Sequence, residues 1–401
     1  MSASSTTQKM HELTGLLLDR EDAAVSPLSI QLCLAMLLAG AAVDAPDAPD
    51  AYTQELDAPE PDAVANNTHR QLCAALGIEP AHEHHFLDTC KRLRDELTAE
   101  RANVQVDMAS ALFCAAGIKD AYKALCAERL DAQVLPLATS AGINAWVSER
   151  TKGMIAEILT EDPEGPLVLV QTLVFTAKFT YLFDPAKTKP AMFDRRGPVP
   201  GRNWRDQSCA TDPVEVQMMT MTAKLRYTGD NGVQVVELPY GKLGEGSPFV
   251  AYVLLPRGQR DLRTIIKTLI ADHEVFAEVV DSLEDTDLQL SLPKFSLDCS
   301  ASIAGALKTM GVVAAFGAAD FARMTNDDAF LQDVLHAVRI KVDEKGTKAA
   351  AATAALIATR GRASPRKDPV VMTVSSPFAF VVAHPATKTL LFAAVVSNPV
   401  A

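Results

Sequence analysis

Residues 344–364 read Glu-Lys-Gly-Thr-Lys-Ala-Ala-Ala-Ala-Thr-Ala-Ala-Leu-Ile-Ala-Thr-Arg-Gly-Arg-Ala-Ser. The alanine run has high helix propensity, yet it stands between two segments, Ala337–Val342 and Val370–Val374, that read as strands. A surface helix or a low-complexity linker would account for the composition. A strand in waiting accounts for the pattern as well. With a period of two, one face carries Thr347, Ala349, Ala351, Thr353, Ala355 and Ile357, all uncharged and mostly small. The other carries Lys348 and then Ala350, Ala352, Ala354, Leu356 and Ala358. Such a strip can slide between two existing strands without burying a charge, and Gly346 supplies a hinge at its start. About fifteen extended residues would cover roughly 50 Å.

The rest of the chain divides by period. Met10–Leu18, Pro27–Ala42, Phe86–Glu100 and Ser140–Leu159 read as helices, the second almost apolar all round and therefore expected deep in the core. Val104–Phe113 and Leu167–Phe179 read as strands. After residue 215 short strands dominate: Val233–Leu238, Phe249–Leu255, Leu288–Leu292, Ala337–Val342, Val370–Val374, Phe378–Ala383 and Leu390–Val396. Residues 44–63, rich in Asp and Pro, cannot build a core and read as a solvated acidic loop. Helices first and strands later, with no βαβ alternation, no repeats and no linker, predict one large α+β domain over 1–401.

Composition bounds the function. A net charge of -12 argues against nucleic acid or an anionic membrane as partner. The seven cysteines, Cys33, Cys73, Cys90, Cys114, Cys126, Cys209 and Cys299, form no Cys-x-x-Cys pair and sit largely in apolar runs, so they read as reduced small hydrophobes. The run His82-Glu-His-His lacks the helical spacing of a zinc protease, no Gly-x-Ser-x-Gly elbow occurs, and Gly241-Lys-Leu-Gly-Glu-Gly is no phosphate loop. No catalytic residue, metal or cofactor is expected. No secretory signal opens the sequence, which points to the cytoplasm, with an extracellular setting open if a leader was removed or export is unconventional.

Several segments together resemble the serpins, and the resemblance covers nearly the whole chain. Glu344-Lys-Gly-Thr-Lys-Ala-Ala-Ala-Ala-Thr-Ala resembles the hinge of inhibitory members. Ser26-Pro-Leu-Ser-Ile with Ala35-Met-Leu-Leu-Ala-Gly-Ala resembles the helix buried under their main sheet, and Ile143-Asn-Ala-Trp-Val-Ser-Glu-Arg-Thr-Lys-Gly-Met-Ile the helix that crosses it. Phe183-Asp-Pro-Ala-Lys-Thr, Leu292-Pro-Lys-Phe, Val338–Gly346 and Ser376-Pro-Phe-Ala-Phe follow in the family's order. The resemblance implies three β-sheets with eight to nine helices and an exposed reactive-centre loop, here about 344–369. It implies a hinge of Glu344, Gly346, Thr347, Ala349, Ala350, Ala351, Ala352 and Thr353. It places Ser29 and His336 in a polar cluster where the sheet parts, and Lys294 with Glu344 as a pair where the loop enters. The chain departs from the family pattern at Phe179 (usually Trp), Gln171 (usually Asn), Lys348 (usually Glu) and Ala394 (usually Gly).

The family's spacing of fourteen residues from Gly346 lands on Arg360, followed by Gly361; Arg362 and Arg366 compete, because the stretch before Pro377 is longer than usual. An Arg at the cleaved bond suits a protease with an acidic primary pocket. The implied activity is therefore suicide inhibition of a trypsin-like serine protease by a monomer, through a covalent acyl-enzyme at Arg360 followed by loop insertion. The competing reading is a non-inhibitory relative acting as carrier, chaperone or storage protein. Such members usually carry bulky, charged or Pro residues in the hinge, which this hinge lacks.

Overall fold

The computed structural model describes residues 3–42, 68–115, 117–196, 212–229, 232–242, 248–258, 261–347 and 368–400. Among these, nine α-helices occur: α1 Ala3–Leu17, α2 Pro27–Gly40, α3 Thr68–Leu76, α4 Glu83–Thr98, α5 Asp120–Leu130, α6 Ser140–Arg150, α7 Leu262–Ile265, α8 His273–Asp281 and α9 Ala304–Thr309. The π-helical turn Ile266–Ile270 continues α7. Helix α2 begins where Ser26 accepts from the Ser29 backbone N–H and Pro27 takes the first turn, whose missing N–H is no loss there. Every residue of α2 is buried. Each fully buried Leu there contributes about 2 kcal/mol, so this helix belongs to the centre of the molecule, in contact with strands of the six-stranded sheet and of the larger strand set described next.

The first sheet has six strands in the order β10-β11-β12-β4-β2-β3: Phe295–Ser302, Leu331–Asp343, Gly346–Thr347, Leu167–Lys178, Val104–Cys114 and Ala132–Pro136. Strands β11 and β4 pair directly and in parallel from Leu331↔Leu167 to Arg339↔Val174. Above that level the two-residue strand β12 lies between them, antiparallel to both. The remaining strands are connected through β6, Pro213–Thr228. Along most of its length β6 pairs with β5, Lys189–Asp194, and β9, Glu284–Pro293, and β9 in turn carries β13, Val370–Thr373. Only Tyr227 and Thr228 of β6 pair with β7, Val233–Pro239. From β7 the ladder runs through β8, Val250–Pro256, β14, Phe378–His384, and β15, Thr389–Val396, to β1, Ala24–Val25. The two-residue junction divides this set into two layers, which with the six-stranded sheet make three.

One face of the six-stranded sheet carries α6, with Ile143, Val147 and Ile155 packed on Ala111, Phe113, Val168, Val170, Val174, Leu335 and Ala337. Helix α6 stops at Arg150, short of the Leu159 expected from the sequence. Lys152 and Gly153 take φ of 54° and 73°, a left-handed conformation that ends a helix. The return segment is pinned back on α6 by Asn144, whose amide oxygen accepts from the Ile158 and Leu159 N–H groups at 2.9 and 3.0 Å.

The chain on either side of residues 43–67 closes on one residue. The Ala42 N–H donates to the Asp320 carbonyl at 3.0 Å, and the Asp320 N–H donates to Thr68 Oγ1 at 3.1 Å. Beneath, Glu83 is buried between Arg323 (2.8 and 2.9 Å) and His69 (2.9 Å). The run His82-Glu-His-His is thereby split, with Glu83 turned inward while His84 faces Asp88 at the surface.

Candidate functional site at the seam of the six-stranded sheet

The sequence features singled out above converge on the line between β4 and β11. At its upper end β12 is wedged into the sheet. Gly346 pairs with Lys178 on one side and Asp343 on the other, and Thr347 with Ala177 and Val342. Gly346 has φ of 136°. A Cβ there would meet the Ala177 carbonyl oxygen and come within 2.7 Å of Lys178 Cα and Phe179 N, all backbone, so only glycine fits. Thr347 is fully buried, and its hydroxyl shares a 2.8 Å hydrogen bond with the Tyr240 phenol, itself fully buried. Burial pushes that phenol's pKa well up, so it stays protonated. Phe179 stacks on Tyr240 with ring centroids 5.0 Å apart, filling the place where the family usually has Trp.

Just outside the wedge, Glu344 and Lys294 form an ion pair at 2.5 Å, and Thr188 donates to the same carboxylate at 2.8 Å. Burial pushes the Glu344 carboxyl up, but the hydrogen bonds from Lys294 and Thr188 outweigh it and hold the group below its usual range. The backbone here is tied as well. The Phe179 N–H donates to the Lys345 carbonyl and the Phe183 N–H to the Glu344 carbonyl, both at 2.9 Å.

Lower on the seam lies a polar row on the face opposite α6. Ser110, Gln171 and His336 occupy one cross-strand line, with Ser110↔Gln171 and Gln171↔His336 as Cα partners. The Ser26 N–H donates to His336 Nε2 at 2.9 Å. In the neutral ring the proton therefore sits on Nδ1, which faces Ser29 Oγ at 3.5 Å. Burial lowers the His336 pKa to about 3. Gln171 turns away from this pair: its Oε1 accepts from Ser110 Oγ at 2.9 Å, and its buried Nε2 has no partner among the described residues.

The structure thus brings Glu344 to Lys294, and Ser29 to His336. Gly346 and Thr347 lie inside the sheet. Ala349, Ala350, Ala351, Ala352, Thr353, Arg360, Gly361, Arg362 and Arg366 lie outside the described residues. Sequence reading missed Tyr240 and Ser110. Tyr240 ends the apolar run Val-Glu-Leu-Pro-Tyr and looks like the edge of a strand; only its position opposite Thr347 gives it a role.

A family model described as "Serpin (serine protease inhibitor)" matches residues 62–399. Serpin B6 of Pongo abelii is 33% identical over 263 residues, which are 64% of this chain and 65% of that protein, so the chain spans just under two thirds of that relative. Human Serpin B9 is 28% identical over 394 residues, covering 93% of this chain and 92% of the relative. Among solved structures, human thyroxine-binding globulin complexed with its named ligand superposes with a TM-score of 0.79 at 20% identity, over 99% of both chains. The native state of the thermophilic serpin tengpin superposes with 0.78 at 22% identity, over 98% of this chain and 93% of that one. With the family model matched over most of its length and the fold shared with solved members, this chain belongs to the serpin family.

Proposed function

We propose that this chain is a suicide-substrate inhibitor of trypsin-like serine proteases, cleaved at Arg360. The observation that carries the reading is the wedge: β12 is a two-residue strand already hydrogen-bonded between β4 and β11, at the head of a sequence built to follow it. At a period of two, the sequence positions that follow Thr347 in phase are Ala349, Ala351, Thr353, Ala355 and Ile357. None is charged, and Lys348 falls on the opposite face.

In this mechanism the chain supplies the bond and the trap. The protease serine attacks the Arg360 carbonyl, the Arg360–Gly361 bond breaks, and the new amine leaves with the Gly361 fragment while Arg360 stays esterified to the enzyme. The severed strand then continues from Thr347 down the seam, parting β4 from β11. It replaces one direct pairing with two and carries the acylated protease away before water reaches the ester. Glu344–Lys294 and Thr347–Tyr240 fix the point of entrance, and the neutral His336 with Ser26 and Ser29 forms the floor over which the strand passes. The uninserted form persists because the route to the inserted one is slow, so its stability is kinetic.

The test is to mix the protein with trypsin and follow it by denaturing electrophoresis and mass spectrometry. A boiling-resistant adduct of summed mass together with a released peptide beginning at Gly361 is expected. A peptide beginning at Ala363 would move the bond to Arg362. Cleavage without adduct by trypsin and by a panel of Arg-specific proteases would reject inhibition and favour a carrier role.

A further inference from the structure

A half-open cleft of about 770 Å³ lies between the start of α1, one face of α4, the turn after α3 and the hairpin that joins β14 to β15. That volume is in the range that takes a small organic ligand. The lining is layered. The floor is Gln31 of α2, only 8% exposed. The throat is apolar, made by Phe86 and Leu93 of α4 with Ile78, all packed on the core. At the rim stands Arg92, also on α4.

The floor and the rim are both short of partners. Among the described residues, the one hydrogen bond of the Gln31 side chain runs from Nε2 to Cys90 Sγ at 3.8 Å, and a thiol is a weak acceptor. A buried amide is unfavourable unless a polar group meets it. Arg92 donates to Thr89 Oγ1 at 3.1 Å, and no carboxylate among the described residues pairs with it. The acidic side chains of the rim are placed differently. Glu79 has His82 at 3.6 Å and Glu96 has His384 at 3.7 Å, and both carboxylates are about half exposed to water. The hydroxyls of the hairpin wall are occupied with one another: Thr387 donates to Thr389 at 2.9 Å and lies 2.9 Å from His384 Nδ1. A polyanion would need a cluster of unopposed cations. One guanidinium above an apolar throat suits a monoanion with an apolar body.

We propose that this cleft binds a small amphipathic carboxylate. Its acid group lies on Arg92, its hydrocarbon body between Phe86, Leu93 and Ile78, and a hydroxyl at its far end on the Gln31 amide. The charge-assisted pair with Arg92 fixes the orientation. The buried amide selects the far end: a bare hydrocarbon would leave it unpaired, whereas a hydroxyl can donate to it or accept from it. The site stands apart from the reactive-centre loop and does not depend on the chain being an inhibitor.

The probe is anilinonaphthalene sulfonate, an apolar body with one anionic group, titrated by fluorescence into the intact protein. It is then displaced by the fatty acids from octanoate to tetradecanoate, by the matching alcohols, and by the ω-hydroxy acid of each length. The acids are expected to displace the probe about tenfold better than the alcohols, and at one chain length the ω-hydroxy acid should exceed its parent by about fivefold. Arg92→Gln should remove the first preference and keep the second. Gln31→Leu should remove the second and keep the first; if that variant does not fold, Gln31→Met, closer in shape, gives the same reading. Thr89→Trp, which fills the cleft from its wall, should abolish probe binding with the thermal midpoint unchanged. Preferences that survive both Arg92→Gln and Gln31→Leu would overturn the assignment, because the ligand would then sit elsewhere. So would a wild-type protein that binds no probe, that takes acids and alcohols alike, or that ignores the ω-hydroxyl at every length.

Discussion

Replacing Gly346 by Ala tests whether the wedge is held by the geometry described. Two routes are open to the variant. If the hinge stays in the sheet, alanine must adopt φ of 136° with its Cβ against the backbone of Ala177, Lys178 and Phe179. A left-handed non-glycine residue alone costs about 1–3 kcal/mol, and the neighbours here are strand backbone that cannot swing aside. If the hinge leaves, the Thr347 hydroxyl departs from Tyr240 and a buried hydrogen bond worth about 0.5–1.5 kcal/mol is lost. The two routes predict a loss of about 1–3 kcal/mol, read as a lower denaturant midpoint. The second adds a signature of its own: the Thr347 amide loses hydrogen-exchange protection, and the bond after Lys345 becomes open to trypsin at low dose. A variant within about 0.5 kcal/mol of the wild type, with Thr347 still protected, would refute the steric argument. It would mean that β4 gives way at Ala177–Phe179 where the structure shows it bound.

Two further outcomes follow from the charges. Burial lowers the His336 pKa to about 3 and that of His11 to about 4, so both are neutral in the folded chain. The unfolded chain takes up these protons near pH 6.5. Each histidine's contribution is therefore complete above about 6.5 and is lost as pH falls towards 3 and 4 respectively. At pH 5 the loss is about 2 kcal/mol per histidine, and His336→Gln should lower the pH 7 to pH 5 difference by about that amount in paired denaturation curves. Lys294→Met leaves the largely buried Glu344 with Thr188 alone; a loss of about 1–2 kcal/mol and an upward move of the Glu344 carboxyl, followed by carbon-13 NMR titration, are expected.

How far the fold could be read ahead depended on whether a signal was local. The almost wholly apolar Pro27–Gly40 helix and the Val-Leu-rich β4 needed only their own composition. Strand β6 did not stand out, although it is the longest described, because its alternation breaks at Met218–Met219, where it passes from β5 to β9 as partner. The end of α6 was read nine residues too far. Lys152 and Gly153 are ordinary in a sequence and decisive only as left-handed residues. At the seam, Gly346, Thr347, Glu344 and His336 were legible from the order of motifs. Tyr240 and Ser110 were not, since each acquires meaning from a residue far away in the chain, Thr347 and Gln171. The substitution of Gln171 for the usual Asn was visible in the sequence, but its effect was not. The Gln171 side chain accepts from Ser110, and its amide nitrogen has no partner among the described residues.

The closure of Ala42 and Thr68 on Asp320 has a consequence for how the chain carries its charge. Residues 43–67 hold seven acidic side chains and no Lys or Arg, more than half of the net -12. Because Ala42 and Thr68 are both tied to Asp320, the two ends of this length of sequence are held together whatever its composition. Doubling such a loop adds only about 0.6 kcal/mol of closure entropy. Selection can therefore change the molecule's colloidal behaviour there, residue by residue, without disturbing the six-stranded sheet.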